Sequence, residues 1–307
     1  MSPLREALAG YLAIRRSLGY KLARAEKLLS QLITYLETAG AATVTTEHAL
    51  AWATLPRGDA RWHADRLTVA RRFAIYLQAI DPATEVPPAG LIPSRPCRAT
   101  PYLYSDIDIA ALISAADGLR FPLRAATYQA LISLLAVTGL RVGEAIRLNG
   151  ADLDFARGVL TVRASKFGKT RLVPLHPTAV AGLRGYLRLR GQLHPHPGSP
   201  AVFISPAGTR LLYCNVHATF RQLARQAGLH PRSASCRPRI HDLRHSFAVR
   251  SLLDAYAAGQ DGQARLTLLS TYLGHADPAS TYWYLSAAPE LLALAGQRLE
   301  DHLREQP

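Results

Sequence analysis

Apolar residues in the first part of the chain recur every three or four positions, the interval that lines one face of a helix. Leu28, Leu29, Leu32 and Leu36 form the clearest set. The pattern predicts helices over residues 4–18, 23–39, 47–53 and 61–80, hence a small all-helical bundle. It breaks at Asp81, because Pro82, Pro87, Pro88, Pro93, Pro96 and Pro101 interrupt every helical register up to that last proline. This stretch reads as an extended linker, and the expected organisation is a first domain at 1–86, a linker at 87–102 and a second domain at 103–307. Ser105, followed by Asp106 and Asp108, then marks a helix start before residues 110–116. A strongly apolar helix is expected over 123–138, closed by Gly139, and Arg141 opens another over 142–148. From Gly158 the period changes to two. Residues 159–163 and 170–174 flank a polar turn at 165–169, which predicts a β-hairpin with Lys166 and Lys169 at its tip. Residues 215–227 and 242–257 read as further helices, separated by a loop rich in Pro, Ser and Arg. The expected fold class is mainly α with a small β-sheet.

Charge adds a partner to this picture. With 36 Lys and Arg against 22 Asp and Glu, the formal net charge is +14. Such a field attracts polyanions at long range and is screened by salt, so nucleic acid is the expected partner. A hydrophobic content of 49% with 19% charged residues argues against a generally disordered chain. Cys97, Cys214 and Cys236 are odd in number and too far apart for a Cys-x-x-Cys site, which argues against a disulfide framework and a zinc ribbon. The first residues lack the apolar core of a signal peptide, and the longest apolar run, around 130–137, is too short to span a bilayer; a cytoplasmic protein without a membrane partner is expected. In the first domain Arg15, Arg16, Lys21, Arg24, Arg66, Arg71 and Arg72 either line a phosphate-facing surface or are simply solvated.

The last third of the chain holds an unusual set of polar residues: His241-Asp-Leu-Arg244, Leu273-Gly-His275, and Tyr284 nine places after that histidine, with Thr138-Gly-Leu-Arg141 far upstream. Together they can hold one phosphate. Two arginines offer planar forks to its non-bridging oxygens, two histidines can accept or donate protons, and a tyrosine supplies an oxygen able to attack phosphorus. Taken singly each has a plainer reading; Arg141, for instance, could merely pair with Glu144 one helical turn on. His194, His196, His217 and His230 lack such company and read as surface residues.

These strings resemble the tyrosine recombinases, also called the phage integrase family. Thr138-Gly-Leu-Arg141-Val-Gly-Glu144 looks like the family's first arginine box, Ser165-Lys166-Phe-Gly-Lys-Thr-Arg-Leu-Val-Pro-Leu175 like its lysine hairpin, and His241-Asp-Leu-Arg244-His-Ser-Phe-Ala248 like its second box, completed by His275 and Tyr284. The resemblance implies a SAM-like core-binding bundle and a mixed catalytic domain that close on double-stranded DNA. It also implies cutting and rejoining through a 3′-phosphotyrosine, with no cofactor, metal or ATP, by four protomers, alone or mixed with related recombinases. Residue by residue it makes Tyr284 the nucleophile, with Tyr282 its rival; Arg141 and Arg244 the phosphate clamp; His241 the general base; His275 a hydrogen-bond donor; and Lys166 the acid for the leaving 5′ oxygen, with Lys169 behind it. Tyr256 and Tyr272 are expected to be packing residues.

Two departures stand out: thirty residues separate Arg244 from His275, with residues 257–263 as the expected extra loop, and Tyr282-Trp-Tyr-Leu285 is unusually aromatic. The string 282–290 looks like integrases of bacterial mobile elements, which makes integration, excision or transposition the expected outcome, with Xer-like dimer resolution as the alternative. Two other classes remain. His241 and His245 are four apart, as in zinc hydrolases, although Arg244 lies between them and no third ligand is evident. A non-catalytic DNA-binding protein is the other. Beyond Pro289, Leu292, Ala295, Leu299 and Leu303 recur at helical spacing, suited to docking on a neighbouring subunit or on their own domain.

Overall fold

The computed structural model describes residues 2–93, 99–163 and 170–274, together with Gly296. The chain divides into two compact units, Met1–Arg98 and Ala99–Pro307. Residues 87–93, assigned to a linker from their prolines, therefore stay with the first unit, and 99–102 with the second. The reason is local: Arg71 Nε donates to the Pro87 carbonyl (3.0 Å), Glu85 N–H to the Val44 carbonyl (2.8 Å), and Val86 and Ile92 pack on the first core.

In the first unit the described helices are α1 (Pro3–Ser17), α2 (Ala23–Thr38), α3 (Thr46–Thr54) and α4 (Ala60–Gln78). Side chains of Thr45 and Asp59 cap α3 and α4 by accepting from the backbone N–H groups of His48 (3.1 Å) and Trp62 (2.7 Å). The α2 stripe of Leu28, Leu29, Leu32, Ile33 and Leu36 is buried against Trp52 and Phe73, as its periodicity predicts. The arginines depart from expectation. Arg66 is buried, its guanidinium 3.8 Å from the Trp52 ring centroid while Nη2 donates to the Trp52 carbonyl (2.8 Å), so it faces no phosphate. Arg15 lies over Tyr20 and Arg16 pairs with Glu26, whereas Lys21 and Arg72 are exposed.

The second unit is built on α6 (Pro122–Thr138), a helix apolar nearly all round and packed against α5 (Asp106–Ala115), α8 (Pro177–Leu193) and α10 (Asp242–Ala257). Ser105 and Asp108 close a capping box at the start of α5. The short helix α7 (Val142–Arg147) leads into a three-stranded antiparallel sheet of order β1 (Leu153–Asp154), β2 (Val159–Val162), β3 (Arg171–Pro174). Leu160 faces Val173 and Val162 faces Arg171 across the β2–β3 pair. Then come α8, α9 (Tyr213–Gln226), α10 and α11 (Gly262–Leu273). Periodicity did not reveal α8 and α11. Gly182, Gly185 and Gly191 dilute the apolar stripe of α8, and α11 begins inside the stretch expected to be a loop, where Asp261 caps it through the N–H groups of Gln263 and Ala264. The opening of the unit is pinned to α10 and the turn before it: Tyr104 N–H donates to Ser246 Oγ (2.7 Å), and Arg239, which grips the buried Asp242 carboxylate with two bonds of 2.9 Å, also donates to the Thr100 carbonyl (3.2 Å). Burial nevertheless raises the pKa of Asp242, outweighing the opposing effect of Arg239.

Gly139 ends α6 with φ +59°, and a β-carbon there would sit 2.5 Å from Phe247 Cδ1 and 3.1 Å from Leu273 Cδ2. Left-handed backbone and overpacking both penalise a side chain at this position, so Gly139→Ala should destabilise the protein by about 3 kcal/mol. Urea unfolding with an unchanged m-value checks this.

Candidate active site

The first arginine box is a turn and a helix start. Gly139 reverses the chain, Arg141 adopts extended backbone (φ −70°, ψ 142°), and α7 begins at the next residue. Glu144, one turn in, accepts from the Arg141 backbone N–H (3.0 Å) and from Arg141 Nη1 (2.9 Å). The plain ion pair considered from sequence is therefore real, yet it engages one edge of the guanidinium. Among the described residues nothing hydrogen-bonds Arg141 Nε or Nη2, and the side chain is 27% exposed. Glu144 itself is buried and held from a second side by Arg171, whose Nη1 and Nη2 donate to its two oxygens (3.1 and 2.8 Å). Burial alone would raise the Glu144 pKa, but the Arg171 and Arg141 hydrogen bonds and charges overrule it and hold the carboxyl at about 2.

Arg244 reaches the same place from α10. It is 2% exposed, with Nη1 on the Gly139 carbonyl (2.8 Å) and Nη2 on the Leu273 carbonyl (2.7 Å). It thus ties the C-terminal turn of α6, two residues before Arg141, to the last residue of α11, two before His275. His241, just ahead of α10, shares the node. The residue is exposed overall, and its ring meets that of His245 edge to face. Burial, followed by the charges of Arg244, Arg141, Arg239 and His217, pushes its pKa down to about 4, so the imidazole is neutral at physiological pH. His217, expected to be a surface residue, is only partly exposed and tilts against Tyr213 with ring centroids 4.4 Å apart.

The structure therefore brings Arg141, His241 and Arg244 together. Lys166, His275 and Tyr284, with Lys169 and Tyr282, lie outside the described residues. Tyr272 behaves as a packing residue: it stacks on Phe247 (5.6 Å between centroids), and burial pushes its hydroxyl up to about 12. His241 and His245 meet edge to face at 5.2 Å, and among the described residues no three His, Cys, Asp or Glu side chains gather as a metal site. Sequence reasoning missed the part played by Arg171. The signal was strand parity, since Arg171 shares the inward side of β3 with buried Val173 while Leu172 points out.

The family model described as "Phage integrase family" matches residues 105–290. A Sinorhizobium fredii protein named as integrase/recombinase y4rB is 47% identical over 307 residues, covering 98% of each chain. The chain belongs to the phage integrase family, the tyrosine recombinases. The Tyrosine recombinase XerC of Alcanivorax borkumensis is 30% identical over 218 residues, 71% of this chain and 66% of that protein. In fold, the Tn1549 transposon integrase in complex with transposon right end DNA superposes with a TM-score of 0.65 at 16% identity, over 98% of this chain and 99% of that one. Tyrosine recombinases cut and rejoin DNA strands independently of metals and ATP, and this chain is an enzyme of that class. Among the described residues no helix is long and apolar enough to cross a membrane.

The depressed pKa of His241 has a definite sign. The unfolded ring, with an ordinary value of 6.5, binds a proton that the folded ring refuses until about pH 4, so stability present above pH 6.5 is lost as pH falls through that window. NMR titration of the His241 ring in the free protein should show no protonation from pH 8 to 5. A midpoint near 6.5 contradicts the geometry.

Proposed function

We propose that this recombinase cleaves double-stranded DNA by attack of the Tyr284 hydroxyl on one phosphodiester, forming a 3′-phosphotyrosyl bond as the bond to the 5′ oxygen breaks. In this reading His241 takes the phenol proton, Lys166 gives a proton to the departing 5′ oxygen, and Arg141 and Arg244 meet the charge that grows on the non-bridging oxygens, with His275 donating a further hydrogen bond. Rejoining is the reverse, with a 5′ hydroxyl as nucleophile. The linkage keeps the energy of the broken bond, so resealing needs no ATP.

The observation that carries the proposal is the meeting of Arg141, Arg244 and a neutral His241 at one node. A neutral imidazole can accept a proton, and an incoming phosphate would offset the arginine charges that add to desolvation in holding its pKa down. Arg141 has two donors on the edge away from Glu144, where a bidentate contact to phosphate fits. A mobile-element role, integration, excision or transposition, is favoured by the 47% identity to the integrase/recombinase of S. fredii. The XerC relative keeps dimer resolution as the second reading. The working form is a tetramer on two DNA sites, as in the lambda integrase tetramer bound to a Holliday junction, which has the same fold (TM-score 0.62).

A nicked suicide duplex carrying the target site is the test. The wild-type protein should leave a denaturation-resistant adduct that Tyr284→Phe abolishes while binding persists; adduct formation by that variant moves the nucleophile to Tyr282. Arg141→Lys keeps a charge but loses the fork, and should slow adduct formation about 100-fold with little change in DNA affinity, measured by single-turnover cleavage beside a binding titration.

A further inference from the structure

We infer that Arg171, the first residue of β3, is a positioning residue of the recombination site: it aims Arg141 by bracing Glu144 and fixes the end of α11 from which the chain runs on to His275. The inference rests on the phosphoryl-transfer reading above.

An arginine on the inward side of a strand is costly unless its charge and donors find partners. Here each of the three nitrogens donates one hydrogen bond, and to groups that matter. Nη1 and Nη2 take both oxygens of Glu144, and Nε donates to the carbonyl of Tyr272 (2.9 Å), one of the last carbonyls of α11, which have no partner within their own helix. The next carbonyl, that of Leu273, is held by Arg244. Two guanidinium groups, one from β3 and one from α10, thus seize successive carbonyls at one helix end. Gly274 follows with φ +66°, and a β-carbon on it would come within 3.1 Å of Arg171 Nη1, so the turn is fitted against this side chain.

The consequence runs through Glu144. Its carboxylate holds Arg141 by backbone and side chain, and its own orientation is set by the flat Arg171 fork lying across it. Without Arg171 the carboxylate keeps a single cationic partner and can rotate toward Arg141, drawing that guanidinium off the phosphate. Lysine could restore a charge but not three donors in one plane. Arg171 also opens the second strand of the lysine hairpin, so one side chain ties together the start of that strand, the first arginine box and the end of α11.

The test compares the wild-type chain with Arg171→Gln and Arg171→Lys in single-turnover adduct formation on a suicide duplex. DNA binding and thermal unfolding are measured in parallel. Arg171→Gln should slow the reaction about 100-fold and Arg171→Lys about 10-fold, with DNA affinity changed by about twofold at most. A duplex whose scissile phosphate is a methylphosphonate supplies the readout that damage to folding would not move. Its non-bridging charge is gone, so misaimed guanidinium charge should matter less, and the variants should come within about threefold of wild type. Variants as fast as wild type on the ordinary phosphate overturn the inference, as do variants slowed equally on both duplexes. If Arg171→Gln fails to fold, Arg171→Lys carries the same comparison. Absence of an adduct with the wild-type chain on a phosphate duplex would instead defeat the phosphotyrosyl reading itself.

Discussion

A carboxylate with almost no access to water stays charged only if cations surround it, and Glu144 is held this way by Arg141 and Arg171. The arrangement is reciprocal. The two guanidinium groups keep the carboxyl ionised, and the ionised carboxyl fixes the planes of both. Because one fork comes from the first residue of β3 and the other from the start of α7, the pair joins sheet to helix at the point where the chemistry is proposed to occur. Breaking one side would leave a buried charge half-compensated, a more severe change than loss of a surface ion pair.

Arg244 extends the same logic to backbone. Two helices, α6 and α11, end in glycines of positive φ, and the carbonyl of Gly139 and that of Leu273, just before Gly274, point at one buried guanidinium. The second arginine box thus aligns two chain reversals as well as supplying charge. Desolvation and, after it, the clustering of positive groups explain why His241 is neutral: an imidazolium there would be one more cation among arginines.

Much of this was legible in the chain. The all-round apolar run of α6, the alternation of β2 and β3, and the boxes around Arg141 and Arg244 are local patterns, and local patterns survive in sequence. The Arg244 contacts were not legible, because carbonyl partners 105 and 29 residues away leave no mark in spacing. Arg66 was misread for a related reason: a cation stacked on Trp52 looks in sequence like any other arginine on a helix. Helix α8 hid behind its glycines, since Leu183 and Tyr186 alone among its described residues are buried where it packs on α6. Arg171 was within reach, because its parity with Val173 announces an inward charge that must have a partner.

The central claim is that Arg141, Arg244 and His241 form the seat of one phosphate. A structure of the Tyr284→Phe protein bound to duplex DNA tests it most directly. The account predicts a single backbone phosphate with its non-bridging oxygens within hydrogen-bond distance of both guanidinium groups and with the His241 ring beside it. A complex in which the DNA passes elsewhere, leaving that node without phosphate, contradicts it.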